Sequence, residues 1–126
     1  MDGYVTDASA MLAMLHGEPG ADAVATVLAI SVMSAMNWAE VLQKARAHGI
    51  EVEGLEQDLA HLGVEFVSFT TREADVAAQL WDRGMRALSL ADRACLATAL
   101  VRGLPVVTAD RAWSSLDPAI PVKVIR

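Results

Sequence analysis

The feature of this sequence that most constrains its fold is the alternation of short β-branched runs with longer segments of helical periodicity. Runs typical of strands cover residues 4–6, 30–32, 64–69, 105–108 and 122–125. Most of the segments between them have helical spacing, so they connect one strand to the next by a crossover. Such crossovers make the strands parallel and place helices on both faces of the sheet. The sequence therefore predicts an α/β fold with a short, mainly parallel central sheet.

Hydroxyl residues mark the expected starts of four helices, at Ser9, Ser34, Thr71 and Ser89. A serine or threonine at such a position can accept a hydrogen bond from a free backbone N–H of the first helical turn. The helix after Ser89 is apolar nearly all round from residue 94 to residue 101. A helix of this kind is covered on several sides, so we expect it to lie in the core.

Length and charge limit the classes of protein to be considered. The chain has 126 residues, the size of one domain, and we expect residues 1–126 to form a single domain. Hydrophobic residues make up 54% of it, which excludes a disordered chain. Ten basic and sixteen acidic residues give a net charge of −6, so the overall field repels nucleic acid. A role on nucleic acid would therefore need bound cations or a partner.

The cysteine content and the early part of the chain indicate a cytoplasmic protein. Cys95 is the single cysteine and lies in an apolar run, which suits a reducing compartment. Residues 1–16 lack the basic start of a secretory leader. The nearly uncharged stretch 23–39 is marginal in length for a membrane span and is better explained as a strand and a helix. We expect no membrane association.

Four acidic residues occupy positions that a parallel sheet can bring together. Asp7 follows the first predicted strand and Asp110 follows the fourth, and ligands bind beyond the carboxyl ends of strands in such sheets. Glu40 lies about two turns into the helix after the second strand, and Asp92 lies in the first turn of the helix capped at Ser89. Carboxylates about 4 Å apart repel by ~4 kcal/mol at an effective dielectric constant of about 20. A convergent cluster would therefore hold protons or bind a divalent cation.

Oxygen ligands alone suit Mg²⁺ or Mn²⁺, with water completing the coordination. Such a cation activates water and stabilises an in-line displacement at phosphorus. It would also cancel the local negative charge that otherwise repels RNA.

Each of these acids also has a purely structural explanation. Asp7 can be a turn residue at a strand end, and Glu40 can form a solvated ion pair with Lys44 four residues later. Asp92 stands three residues after a hydroxyl N-cap, as in a capping box. Asp110 can cap a short helix around residues 112–113. Taken one at a time, the four residues leave both explanations open.

Four stretches, 5–10, 37–41, 89–97 and 107–113, contain these acids and occur in a recognisable order. Together they resemble the PIN-domain family, and within it the toxin ribonucleases of VapBC toxin–antitoxin pairs. The resemblance covers nearly the whole chain. It implies a three-layer α/β/α sandwich around a short parallel sheet, and an endoribonuclease that depends on Mg²⁺ or Mn²⁺.

By this resemblance, the catalytic and metal-binding site consists of Asp7, Glu40, Asp92 and Asp110. Thr108 matches the hydroxyl residue that orients the last aspartate or a water molecule. The family also implies a homodimer, and inhibition by a cognate antitoxin whose tail enters the active-site groove. The chain departs from the pattern at residue 91, where alanine replaces a glycine that often precedes the third aspartate. Alanine suits the first turn of a helix, so we expect no loss of function.

Other residues suit contacts with RNA or the core. Arg93 and Arg111 directly follow two of the site acids and can contact phosphate, pair with neighbouring carboxylates, or lie in solvent. Trp38 and Trp81 lie on apolar helical stripes, which predicts core packing. This leaves Trp113 as the better candidate for stacking on a base.

Two alternatives to a ribonuclease come from other classes of function. One is a PIN fold that serves as a binding or regulatory module with little or no nuclease activity. The other is a metal-dependent phosphatase, which the absence of an Asp-x-Asp sequence after the first strand disfavours. Nucleotide hydrolysis of the P-loop type is disfavoured because the sequence has no glycine-rich loop followed by Lys-Ser or Lys-Thr.

Overall fold

The computed structural model describes residues 3–126, so the first two residues of the expected domain lie outside it. The strands in this part of the chain are β1 (Tyr4–Thr6), β2 (Ser31–Ser34), β3 (Glu65–Val67), β4 (Val106–Thr108) and β5 (Val122–Val124). The helices are α1 (Ala8–Leu15), α2 (Ala21–Val27), α3 (Ala35–Ala47), α4 (Leu55–His61), α5 (Thr71–Asp82) and α6 (Leu90–Arg102). Short 3₁₀ turns lie at Leu28–Ile30, after α2, and at Arg111–Ser115, after β4.

The strands form one parallel sheet in the order β3-β2-β1-β4-β5. The first strand is central: Val5 lies opposite Val32 of β2 on one side and Val106 of β4 on the other. The chain adds strands outward from β1 in one direction and then returns to add β4 and β5 in the other. The carboxyl ends of β1 and β4 therefore flank the switch point of the sheet, where α/β folds bind ligands.

Successive strand residues face opposite sides of the sheet and build separate apolar clusters. Val32 and Val106 join the cluster under α5 and α6, whereas their neighbours Met33 and Val107 face α1 to α4. Buried members on the α5–α6 side include Val5, Val67, Leu80, Cys95, Leu96, Ala99 and Trp113. Those on the opposite side include Met11, Leu12, Val24, Val27, Trp38, Val41 and Leu59. The sheet and its two helical layers form the expected α/β/α sandwich.

The start of two helices differs from the sequence prediction by one or two residues. Helix α1 is capped by Asp7, whose carboxylate accepts the Ala10 N–H, and not by Ser9. Helix α5 is capped by Thr70 in a capping box with Glu73, one residue before the expected Thr71. A carboxylate at a strand end reaches the free N–H groups of the following helix, so Asp7 takes the capping position.

Two of the three tryptophan predictions are wrong. Trp38 is buried against Phe66, as expected. Trp113 is only 1% exposed and belongs to the core, because the 3₁₀ turn after β4 folds its side chain onto the α5–α6 cluster. Trp81 is 42% exposed, since the buried face of α5 ends at Leu80 and the next side chain points outward.

No helix in residues 3–126 has the length and apolar composition needed to cross a membrane.

Trp113 is buried and Trp81 is exposed, so replacing each ring in turn tests whether Trp113 belongs to the core. We expect Trp113→Ala to reduce the free energy of unfolding by roughly 3–5 kcal/mol, because it opens a cavity in the core. Trp81→Ala should cost less than about 1 kcal/mol, since it removes an exposed ring. Urea denaturation followed by circular dichroism measures both. Equal losses in the two variants would contradict the burial of Trp113.

Candidate acidic site at the carboxyl edge of the sheet

Asp7 is the residue directly after β1, and three hydrogen-bond donors hold its carboxylate there. Its backbone N–H still pairs with Val107 of β4 at 3.0 Å, which extends the sheet by one step. Its carboxylate accepts the Ala10 N–H at 2.8 Å and the Thr108 hydroxyl at 2.6 Å. The Ser9 hydroxyl lies 2.8 and 2.9 Å from the two carboxylate oxygens. The side chain is 4% exposed, so it is fixed in position and nearly cut off from solvent.

Burial, with a smaller contribution from the negative charge of Asp92, raises the pKa of Asp7 from the ordinary 3.8 to about 6. The hydrogen bonds from Thr108, Ala10 and Ser9 oppose this shift but do not cancel it. Ionising such a group costs ~3 kcal/mol relative to an aspartate in water. At neutral pH the site therefore holds an unfavourable negative charge that a cation would neutralise.

Asp92 lies in the first turn of α6 and has a structural role as well as an electrostatic one. Its Oδ2 accepts the Ser89 N–H at 3.3 Å, and its own N–H donates to the Ser89 hydroxyl at 3.0 Å. This is the capping box expected from the sequence. The same side chain lies close enough to Asp7 for its charge to raise the pKa of that carboxyl.

Glu40 lies on α3 and forms the ion pair expected from its spacing, with Lys44 Nζ 3.1 Å from Oε2. It also belongs to the electrostatic surroundings of Cys95, which is fully buried on α6. Burial raises the pKa of the Cys95 thiol, and the charges of Asp7, Asp92 and Glu40 add to the increase. The fold therefore brings three of the four predicted acids around this one buried thiol.

Asp110 is the most exposed of the four acids. Its Oδ1 accepts the Ala112 N–H at 2.9 Å and so caps the 3₁₀ turn, as the alternative explanation predicts. Its backbone N–H donates to Thr108 Oγ1 at 3.0 Å, and the Thr108 hydroxyl donates to Asp7. Thr108 therefore links the last acid to the first, and its proton is committed to Asp7.

Among residues 3–126, no group of three or more His, Cys, Asp or Glu side chains is arranged to hold a metal ion as it stands. The donors nevertheless suit a hard cation, because all are carboxylate oxygens. Three of them use one oxygen each for a structural contact. These oxygens are Glu40 Oε2, Asp92 Oδ2 and Asp110 Oδ1. The second oxygen of each has no hydrogen-bond partner among the described residues.

Sequence reasoning missed two residues that support this site. Ser9, expected to cap a helix, instead donates to Asp7 and accepts the Ala109 N–H at 3.0 Å, so it joins α1 to the end of β4. Asn37 is 1% exposed, and its Nδ2 donates to the Ala91 carbonyl at 2.9 Å, directly before Asp92. A polar amide next to the buried stripe of α3 was the available signal for Asn37.

The Oδ1 atom of Asn37 is buried and has no hydrogen-bond partner in the described residues. Buried polar atoms of this kind are generally paired with water or an ion. Asn37 thus ties the helix that carries Glu40 to the turn that carries Asp92, and it retains one unused acceptor beside them.

The two arginines next to the acids make backbone contacts. Arg93 Nη1 donates to the Ala77 carbonyl at 3.0 Å, and Arg111 Nε donates to the Arg126 carbonyl at 2.9 Å. Neither forms an ion pair with a carboxylate of the described residues. The contact with phosphate stays a prediction.

The fold agrees with the family resemblance. The sequence profile of the PIN domain matches residues 4–117. The chain therefore belongs to the PIN domain family. No curated protein matches it by sequence.

Several solved structures share the fold over the whole chain. A toxin–antitoxin complex from Klebsiella pneumoniae has a TM-score of 0.80 at 19% identity, covering 98% of each chain. DNA-bound VapBC from Salmonella typhimurium has a TM-score of 0.74 at 16% identity, covering 100% of each. A member of the VapBC family of toxin–antitoxin systems from Mycobacterium tuberculosis has a TM-score of 0.60 at 23% identity, covering 98% of each. At these identities the likeness establishes the shared fold.

The raised pKa of Asp7 predicts that the metal-free protein loses stability as the pH rises. A folded-state pKa of about 6, above the ordinary 3.8, means that its stabilising contribution is complete below about pH 4 and is lost through pH 6. Asp7→Asn cannot ionise. We therefore expect the stability of this variant relative to the native chain to improve by ~3 kcal/mol between pH 4 and pH 7.5 in EDTA.

Urea denaturation at several pH values measures this difference, and the exposed Asp58→Asn is the matched control. The control should follow the native chain across the range. Parallel pH curves for Asp7→Asn and the native chain would contradict the assignment of the destabilised carboxylate to Asp7.

The Asn37 contact predicts that two amide side chains of α3 contribute differently to the free energy of unfolding. Asn37→Ala should lower the free energy of unfolding by about 1–2 kcal/mol, because the link between α3 and α6 is lost. Gln43→Ala, at an exposed position of α3, should change it by less than about 0.5 kcal/mol. Thermal or urea unfolding measures both, and equal effects would remove Asn37 from the support of the site.

Proposed function

We propose that this protein is a metal-dependent endoribonuclease, and that it is the toxin of a VapBC-type toxin–antitoxin pair. The observation that carries the proposal is the Asp7 carboxylate, held at the switch point of the sheet with its pKa raised beside Asp92. Membership of the PIN domain family supports a nuclease. The VapBC proteins that share the fold support the toxin assignment.

Mg²⁺ or Mn²⁺ is the cofactor that we propose for this site. Asp7 and Asp92 would bind it directly, and Glu40 and Asp110 would complete the site directly or through water. The bound cation would supply positive charge and Lewis acidity toward water and a phosphodiester. The donor chemistry fits, because the carboxylates provide oxygen ligands only and the negative charge at Asp7 is unfavourable without a counter-ion.

The side chains of this chain would have separate tasks in that reaction. Ser9 and Thr108 donate hydrogen bonds to Asp7 and so fix the orientation of its carboxylate. Asp92 and Asp110 keep one oxygen each in a cap and offer the other. Glu40 does the same beside Lys44, which also holds positive charge near the site.

The proposed partners and setting follow from the same assignment. The substrate is RNA, and a cognate antitoxin would restrain the enzyme. We further propose that residues 1–126 form a single PIN domain that acts as a homodimer in the cytoplasm. The buried free thiol of Cys95 suits a reducing compartment.

Cleavage of a mixed RNA pool by the purified protein tests the proposal. Cuts should appear with Mg²⁺ or Mn²⁺ and disappear with EDTA. Asp92→Asn should reduce the rate by more than ~100-fold, because a proposed metal ligand is lost. The exposed Asp58→Asn on α4 should cleave at the native rate. Full activity in a folded Asp92→Asn variant would contradict the site.

A PIN-fold binding module without nuclease activity is the second candidate. It is favoured by the structural engagement of Glu40 with Lys44 and of Asp110 with the 3₁₀ turn. Two measurements distinguish the candidates. A binding module would retain RNA uncut in Mg²⁺, and a calorimetric Mg²⁺ titration would give no signal that depends on Asp7.

A further inference from the structure

Trp81 is an exposed aromatic ring with an arginine stacked on it. It lies in the last turn of α5 and is 42% exposed, whereas Trp38 and Trp113 are buried. The guanidinium carbon of Arg86 lies 4.2 Å from the centroid of the Trp81 ring. A cation–π contact at this distance fixes the orientation of the ring at the surface. Exposed and oriented tryptophans are uncommon, because burying such a ring is strongly favourable.

The ring lies at the same end of the fold as the acidic site. Helices α5 and α6 are joined by a short loop and pack side by side, and Arg93 of α6 donates to the Ala77 carbonyl of α5. Trp81 stands one turn beyond Ala77, toward the end of α5 that leads into this loop. The first turn of α6, which carries Asp92, therefore lies next to the turn of α5 that carries Trp81.

Arg86 keeps its hydrogen-bonding capacity free. In the described part of the chain, Arg83 pairs with Asp117 and Arg93 donates to a backbone carbonyl, but Arg86 has no hydrogen bond or ion pair. Its guanidinium lies over the indole ring. Five N–H donors in a planar fork match the oxygens of a phosphate. The pair therefore offers an apolar face and an anion-binding group side by side.

We propose that Trp81 and Arg86 form a binding site for one nucleotide of single-stranded RNA, with the base stacked on the indole and the phosphate on the guanidinium. The site rests on the proposed ribonuclease function and extends it, because it would hold the RNA on the α5 side of the acidic cluster. Only a single strand presents an unstacked base to such a ring. Trp81 would contribute affinity for any base, since every base has an aromatic face.

The charge on the patch favours RNA over a second copy of the chain. Leu90, at the start of α6, is also exposed, at 56%, so a protein interface is the main competing occupant. An interface that covered Arg86 would be costly unless the second copy supplied a carboxylate to pair with it. A phosphate pairs with the same guanidinium and leaves no unpaired charge.

Fluorescence anisotropy with a labelled single-stranded RNA pool tests the site. All proteins carry Asp7→Asn so that the RNA remains intact, and Mg²⁺ is present throughout. Trp81→Ala and Arg86→Ala should each weaken binding by about tenfold, and Trp81→Phe should retain most of the affinity because it keeps a ring. Arg46→Ala removes an exposed arginine in the last turn of α3, outside the proposed site. This matched control should change the affinity by less than about twofold.

The salt dependence of binding separates the two roles. For a single strand, each lost phosphate contact reduces the slope of log K against log salt by about 0.7. Arg86→Ala should show that reduction, whereas Trp81→Ala should leave the slope unchanged. Unchanged affinity in both variants would overturn the site. A Trp81→Ala variant that loses self-association on sedimentation, but not RNA affinity, would also overturn it in favour of an interface between copies.

The binding assay and the cleavage assay test the two proposals separately, so either proposal can be rejected while the other is retained. Native protein that cleaves RNA while the Trp81 and Arg86 variants bind normally would retain the nuclease and reject this site. Variants that lose binding while the native protein never cleaves would retain the site and reject the nuclease. RNA binding that is absent from the Asp7→Asn protein and from the native protein alike would reject the site.

Discussion

The burial of one carboxylate is the constraint on which the rest of this structure depends. Asp7 ends the central strand, caps α1 and accepts the hydroxyls of Ser9 and Thr108, so a single side chain joins β1, α1 and β4. These hydrogen bonds hold the side chain at the switch point of the sheet against a desolvation cost that leaves its pKa at about 6. The arrangement stores unfavourable charge at the one edge where parallel sheets bind ligands. In the metal-free protein, the ionised form of Asp7 that would bind a cation is therefore the form that lowers the stability of the fold.

The acids around Asp7 show that structural and functional explanations of a carboxylate are compatible. Asp92 completes a capping box, Asp110 caps a 3₁₀ turn and Glu40 pairs with Lys44, as their local spacing predicts. Each contact uses one oxygen, and a carboxylate offers about four lone-pair sites. Capping also places Asp92 and Asp110 at helix starts, where backbone N–H groups stabilise negative charge. Local roles of this kind fix the side chains in place and leave the remaining oxygens for a cation.

The layered α/β architecture could be predicted from the sequence because strand and helix periodicities differ. The order of the strands in the sheet could not be predicted, since no local pattern indicates which strands pair. The cap of α1 is predicted at Ser9 but formed by Asp7, because a serine and an aspartate two residues apart both suit an N-cap. The exposures of Trp81 and Trp113 are the reverse of those predicted, because burial of a ring at the end of a helix depends on how the following loop returns to the core. The partner of Asn37 lies on α6, 54 residues away, so local spacing shows a polar residue beside the buried stripe but not what it binds.

The hydrogen bond between Thr108 and Asp7 spans 101 residues of sequence. During synthesis the N-terminal part of a chain emerges and folds first, so Asp7 would leave the ribosome long before its partner. The central strand would then lack its β4 neighbour, and the first acid would lack the hydroxyl that orients it. For a chain proposed to cut RNA, this order of emergence delays assembly of the site until β4 has been synthesised. About a hundred residues would therefore follow Asp7 out of the ribosome before its carboxylate gained the Thr108 hydroxyl.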